Sequence, residues 1–344
     1  MAGRRFHTVD VFARDSYAGN QLAVFHDAAD LDDETMLALT RETNYSEATF
    51  LEDDASDDGR YPVRIFDPTE ELAFAGHPTL GTAAVIREFL REDTPDELVL
   101  DLPVGDVPVW METDADGTER YWMQQVAPAF ADGLDRDGAA NVLDRDAAAR
   151  VLGLDPADVH DAPIEVVSTG LPTLVVPLVS LDVVERAATQ PEAYEREIVD
   201  RLGGANVLVV AGETVDADAA LHARVFADWA GVPEDPATGS AAGCLAAYLV
   251  RYDDVAREMG LDVPDGGRER DDDHDAADGR ASGSDAVEAI VEQGYEMGRP
   301  SRLHLRASVR DGASGAAAED HGDESTIDVR VGGRVIPVSE GHLL

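Results

Sequence analysis

Apolar and polar residues alternate from Phe6 to Phe12, with Phe6, Thr8, Asp10 and Phe12 on one side and His7, Val9 and Val11 on the other. This is the period of a half-buried strand. A turn around Tyr17–Asn20 leads to a second strand over Gln21–Phe25. The spacing of Met36, Leu37 and Leu39 predicts a helix over Asp32–Thr43, ending near Asn44. Strands are then expected in the second half of Asn44–Leu51, with Ala48 and Phe50 on one face and Glu47 and Thr49 on the other, and at Tyr61–Phe66, then a hairpin at Leu98–Leu102 and Val107–Glu112 and a strand at Arg120–Val126. Downstream the pattern predicts a polar helix over Asp144–Val151 and strands at Ile164–Val167 and Leu174–Leu178. A helix over Glu192–Leu202 and strands at Val207–Val210, Leu221–Phe226, Ala289–Val291, Arg302–Val309 and Ile327–Val335 complete it.

Two stretches break this rhythm. Glu234-Asp235-Pro236-Ala237-Thr238-Gly239-Ser240 reads as a tight loop, and the small apolar residues after it as a helix packed on every side, which belongs in the middle of a domain. The loop would present unpaired N–H groups, with Thr238 and Ser240, to a carboxylate or oxyanion. The second stretch, Gly76-His77-Pro78-Thr79, likewise runs into a small-residue helix, continuing to about Arg91.

The two stretches match. Pro78-x-x-Gly81-Thr82-Ala83-Ala84 reads against Pro236-x-x-Gly239-Ser240-Ala241-Ala242, each preceded by Arg-Ile-Phe (64–66) or Arg-Val-Phe (224–226). A weaker echo relates Gly19-Asn20-Gln21-Leu22-Ala23-Val24 to Gly170-Leu171-Pro172-Thr173-Leu174-Val175. The chain therefore reads as two copies of one domain plan, with the boundary near Ala127-Pro128. A pseudo-twofold axis would set the two loops face to face across a cleft, with His77 and Asp235, the residues before the repeated prolines, on either side of it. Glu47 is a lone carboxylate if its strand face looks into that cleft. Taken alone, its stretch reads as a surface glutamate.

Composition narrows the chemistry. The 344 residues are 44% hydrophobic and include 71 acidic against 27 basic ones, a formal net charge of −44. That balance argues against nucleic acid and anionic membranes as partners. It suits a solvated surface in a very salty cytoplasm, where screening relieves self-repulsion. There is no apolar run of membrane-spanning length and no apolar signal segment, so a cytoplasmic protein is expected. Every basic residue is an arginine, which removes lysine Schiff-base chemistry and Walker-type phosphate loops. The single cysteine, Cys244, allows no intrachain disulfide or cysteine-based zinc cluster and reads as a buried small residue. Acidic stretches at about 265–286 and 311–325 read as surface insertions. Within the first, Asp271-Asp272-Asp273-His274-Asp275 reads as a solvated loop in preference to a cation site.

Taken together, Asp10-Val11-Phe12, Gly19-Asn20, Asn44-Tyr45-Ser46-Glu47-Ala48-Thr49-Phe50, Gly76-His77-Pro78-Thr79, the Glu234–Ser240 run, Gln293-Gly294 and Gly298-Arg299-Pro300-Ser301 resemble the phenazine biosynthesis PhzF-like isomerases and epimerases, which share the diaminopimelate epimerase fold. The resemblance covers nearly the whole chain, and Asp-Pro-Ala-Thr-Gly-Ser is its most specific part. It implies an α+β fold of two pseudo-symmetric domains, each a mixed β-sheet wrapped around a central helix: residues 1–126, completed by a final strand at about 334–344, and residues 127–333. It implies Glu47 as the catalytic acid/base, His77, Asp235 and Ser240 as supporting groups, and Gly76, Gly239, Thr238 and Asn20 as substrate contacts.

A homodimer, no metal, no cofactor and a small carboxylate substrate also follow from the resemblance. The family's best-known activity isomerises trans-2,3-dihydro-3-hydroxyanthranilate by a cofactor-free proton shift. The acidic insertions and Gln21, where the family often has proline, depart from its pattern. Fold relatives that use two cysteines are excluded in mechanism, since one thiol cannot do the work of two. A non-catalytic small-acid binding protein and a hotdog-type thioesterase remain the readings from other classes.

Overall fold

The computed structural model describes residues 4–52, 59–91, 95–130, 143–263, 286–310 and 326–344. The acidic stretches 265–285 and 311–325, with the Asp271–Asp275 cluster, lie outside these residues. In the first half the elements run β1 (Arg5–Val11), β2 (Asn20–Phe25), α1 (Asp33–Thr43), β3 (Glu47–Leu51), β4 (Arg60–Phe66), β5 (Glu71–Leu72), α2 (Gly76–Val85), β6 (Glu97–Leu102), β7 (Gly105–Thr113) and β8 (Glu119–Gln124). The second half runs β9 (Ala129–Phe130), α3 (Arg145–Leu152), β10 (Glu165–Ser168), β11 (Pro172–Pro177), α4 (Leu181–Arg186), α5 (Pro191–Tyr194), β12 (Asn206–Ala211), β13 (Leu221–Ala227) and β14 (Val232–Asp235). It continues with α6 (Gly239–Arg251), α7 (Asp253–Glu258), β15 (Ala286–Gln293), β16 (Ser301–Arg310), β17 (Thr326–Gly333) and β18 (Val335–His342).

Strand pairing repeats itself. The first half is ordered β18-β1-β2-β3-β4-β6-β7-β8, with β2/β3 and β4/β6 parallel. The second is ordered β9-β10-β11-β12-β13-β15-β16-β17, with β11/β12 and β13/β15 parallel. β8 pairs with β17 and joins the halves. Each half is closed at its far edge by the strand that leaves the other, β9 after β8 and β18 after β17. The fold is therefore two pseudo-symmetric mixed sheets, each around a central helix.

The central helices explain the small-residue stretches. From His77 to Val85 and from Gly239 to Leu249 every residue is buried, because each helix is surrounded by its own curled sheet. Glycine permits the closest approach: a Cβ on Gly81 would sit 2.5 Å from a Leu22 methyl and 2.9 Å from one of Val11. The outer faces are covered too. α1 lays Met36 against Phe25 and Phe50, and α3, α4 and α5 cover β11 and β12 through Val151, Val184 and Tyr194. At full burial each such aliphatic side chain contributes about 1.5–3 kcal/mol.

This double cover corrects two expectations. β1 is buried on both faces, not half-buried, since α2 takes Val9 and Val11 while Thr8 and Asp10 are also buried. The helix expected to be polar at 144–151 buries Ala147, Ala148, Ala149, Val151 and Leu152. Three element boundaries also differ. The helices expected to run to Arg91 and Leu202 pass into π-helical turns at Ile86–Leu90 and Glu195–Asp200. The strand expected to run to Val335 ends at Gly333, and Val335 opens the next strand, β18; glycine is required at the end of β17, since a Cβ on Gly332 would meet the Trp122 ring at 2.4 Å and one on Gly333 the Phe12 ring at 2.6 Å. Among the described residues no helix is long and apolar enough to cross a membrane.

Candidate active site

The N-termini of the two central helices abut. A Cβ on Gly76 would lie 3.5 Å from Gly239 Cα and 3.7 Å from Ser240 N. Neither helix has a side-chain N-cap, since Ala75 and Thr238 precede them without a capping bond. Their first-turn N–H groups and the positive ends of both helix dipoles thus converge on one place. A cavity of about 80 Å³ opens there, lined on one side by Glu47, Phe74, Ala75, Gly76 and His77, and on the other by the 169–171 turn with Asp235 and the start of α6.

Three titratable groups face this space, and burial governs each. Glu47 opens β3 with Oε2 fully buried and without a hydrogen-bond partner, and desolvation pushes its carboxyl up to about 7. His77, at the start of α2, is driven down to about 4 by burial, opposed by the Asp235 charge and by a hydrogen bond to the Gln21 backbone. Its Nε2 is buried and unpartnered. The Gln21 bond therefore holds the Nδ1 proton, leaving the Nε2 lone pair toward the cavity. Burial raises Asp235 to about 6, against the pull of His77 and with the Glu47 charge adding to the rise.

Asp235 is held firmly. Asn20 Nδ2 donates to Asp235 Oδ1 (2.8 Å) and to the Ala237 carbonyl (3.0 Å), and the Thr238 hydroxyl donates to Asp235 Oδ2. Gln293 ties the loop from behind, donating to the Asp235 carbonyl (2.7 Å) and accepting from Thr238 N. Arg299 fastens the opposing Tyr17–Asn20 turn through Asp10 (2.8 Å) and the carbonyls of Ala18 and Gly19.

Seven of the eight residues singled out in the sequence line the cavity: Glu47, Gly76, His77, Asp235, Thr238, Gly239 and Ser240. Asn20 does not. Its amide is engaged with Asp235, so it orients that carboxylate where a substrate contact was expected. Sequence reasoning missed Phe74 and the 169–171 turn. The echo between 19–24 and 170–175 was the signal that could have placed the turn here.

A larger hollow of about 420 Å³ lies on the outer sheet face around Trp122, His304 and Arg306. Its cations are paired, Arg306 with Glu112 and Glu288 and Arg120 with Asp114. The smaller cavity is the one that joins unpartnered acid–base groups to free backbone donors. Cys244 is fully buried within α6, and burial pushes its thiol up. Among the described residues no three His, Cys, Asp or Glu side chains are arranged to hold a metal ion.

Residues 9–271 match the PhzC-PhzF family, described as phenazine biosynthesis-like protein. The chain is 33% identical over 304 residues to the trans-2,3-dihydro-3-hydroxyanthranilate isomerase of Pseudomonas aeruginosa, covering 88% of this chain and 90% of that one. A solved PhzF-family phenazine biosynthesis protein of Bacillus anthracis superposes with a TM-score of 0.78 at 25% identity, over 100% of both chains. A probable proline racemase of Agrobacterium radiobacter shares the fold at 12% identity, with a TM-score of 0.53 over 99% of this chain and 93% of its own.

Proposed function

The chain belongs to the phenazine biosynthesis-like family and is an isomerase, and on that premise we propose that it moves a proton within a small carboxylate-bearing metabolite without a cofactor. The observation that carries this reading is the pair of buried, unpartnered atoms, Glu47 Oε2 and His77 Nε2, set beside two uncapped helix starts. The N–H groups of Gly76, Gly239 and Ser240, with the Ser240 hydroxyl, receive the substrate carboxylate. Ionised Glu47 takes a proton from a carbon beside that group. The C–H electron pair moves into the adjoining π system and onto the carboxylate oxygens, and the Glu47 carboxyl, which exchanges its acquired proton with solvent, returns one to a second carbon. Atoms and charge balance with no co-reactant.

His77 and Asp235 supply polarity on either side of the moving proton. Neutral His77 accepts a hydrogen bond through Nε2, and Asp235 is kept in place by Asn20 and Thr238. A carboxyl titrating near 7 is suited to both halves of the transfer, since it gains and loses a proton with little bias at neutral pH. Each half of the chain acts as one domain of a cytoplasmic homodimer in this reading, with the cleft between the halves as the site.

The test uses trans-2,3-dihydro-3-hydroxyanthranilate, the compound named for the Pseudomonas relative, and other small unsaturated acids in D2O containing a chelator. Isomerised product with carbon-bound deuterium supports the proposal. Tight binding without exchange at carbon would favour a small-acid binding protein instead.

A further inference from the structure

Strand register makes the two halves comparable residue by residue. Ala48 pairs with Phe66 as Val207 pairs with Phe226, and Ala23 lies beside Ala48 as Leu174 lies beside Val207. Counting back along these strands, Glu47 corresponds to Asn206 and Asn20 corresponds to Leu171. The preceding glycines correspond as well, and both Gly19 and Gly170 have positive φ.

At these equivalent positions the chemistry diverges. Asn20 reaches across from the first half and ties down the acid of the second, Asp235. Leu171 lines the same cavity as Glu47 and His77 but carries no polar side-chain atom. By the repeat, an amide there would do for the first half's groups what Asn20 does for Asp235. With leucine in its place, Glu47 Oε2 and His77 Nε2 are left without protein partners.

We propose that Leu171 is the residue that leaves Glu47, and not Asp235, free for proton transfer, and that with Phe74 it fixes the kind of acid accepted. It keeps that wall apolar, so the two unpartnered atoms take their hydrogen-bond partner from the substrate. The part of the substrate beside Leu171 is then hydrocarbon, and an acid with a hydroxyl or amide on that side is disfavoured by an unpaired polar group. The inference rests on the reading of Glu47 as the proton-transferring group. The charged and titratable groups facing Glu47 are His77 from α2, Asp235 from β14 and Asp67 from the turn after β4, with the Ser46 hydroxyl beside it. None of them is itself replaced by changing Leu171, which is 41% exposed.

The experiment is carboxyl ¹³C NMR on the glutamate-labelled full chain in concentrated KCl, with the Glu47 signal identified by its loss in Glu47→Gln. The expected result is a wild-type Glu47 that titrates near 7, a Leu171→Asn protein in which it titrates about one pH unit or more lower, and a Leu171→Met protein unchanged. Leu171→Thr repeats the test should the asparagine variant fold poorly. Binding of benzoate, the probe acid, should weaken about tenfold in Leu171→Asn and stay within about twofold in Leu171→Met. A wild-type titration near 7 that persists in the Asn and Thr variants overturns the role of Leu171 and leaves Glu47 as the proton-transferring group. A wild-type titration in the ordinary carboxylate range overturns both.

Discussion

Glu47 Oε2 and His77 Nε2 lie 3.4 Å apart, one from the start of a strand and the other from the start of a buried helix, and neither makes a hydrogen bond. Leaving two such groups unsatisfied costs about 1–3 kcal/mol apiece. The fold tolerates this because both are set by surroundings that cannot relax around them: β3 runs between β2 and β4, and α2 is enclosed by its sheet.

The pair should leave opposite signatures in the pH dependence of stability. Glu47 is raised to about 7 from 4.5, so its contribution is complete below about pH 4.5 and is lost as pH rises through 7. Asp235 behaves alike between 3.8 and about 6. His77 is lowered to about 4 from 6.5, so its contribution is complete above 6.5 and is lost as pH falls through 4. Relative to wild type, Glu47→Gln should therefore be more stable at pH 8 than at pH 5, by on the order of 1–3 kcal/mol. Denaturant unfolding at the two pH values measures the difference.

Gly294 has a φ of 75°, and a Cβ there would sit 2.6 Å from the carbonyl oxygens of Pro236 and Arg299. Gly294→Ala should cost roughly 1–3 kcal/mol and, by pushing Pro236, displace the neighbouring Asp235. Turnover should then fall by more than the loss of folded protein explains, which parallel rate and thermal-unfolding measurements would show.

A net charge of −44 on 344 residues sets up self-repulsion that screening relieves. Raising KCl from dilute buffer to molar concentrations should lift the thermal midpoint by on the order of 10 °C. A midpoint independent of salt would contradict the reading of the acidic surface as an adaptation to a salty cytoplasm.

The repeat was legible because it depends on local chemistry. Arginine-x-phenylalanine on a strand, then proline, glycine and a hydroxyl at a helix start, serve the same turn twice, and the paired registers of β3/β4 and β12/β13 place them equivalently. The central helices were legible because only a helix surrounded by its sheet needs small residues on every side. The echo between 19–24 and 170–175 already aligns Leu171 with Asn20, but its importance is relational and was hidden until the fold placed Leu171 in the same cavity as Glu47 and His77. The burial of β1 on both faces was hidden for the same reason, since alternation along one strand says nothing of the distant residues laid over its polar side, here Arg299 on Asp10 and Ser339 on Thr8. Gln293 reads in the sequence as part of a glycine-bearing turn that could abut the site, and the fold sets its amide behind Thr238.

The most direct measurement is solvent deuterium exchange at carbon, with the Glu47→Gln protein set beside wild type on a substrate that wild type turns over. Removing the proton carrier while preserving shape should lower the exchange rate by about 10²–10⁴-fold with the carboxylate still bound at the helix starts. Exchange at the wild-type rate in Glu47→Gln would contradict the central claim that this carboxyl moves the proton.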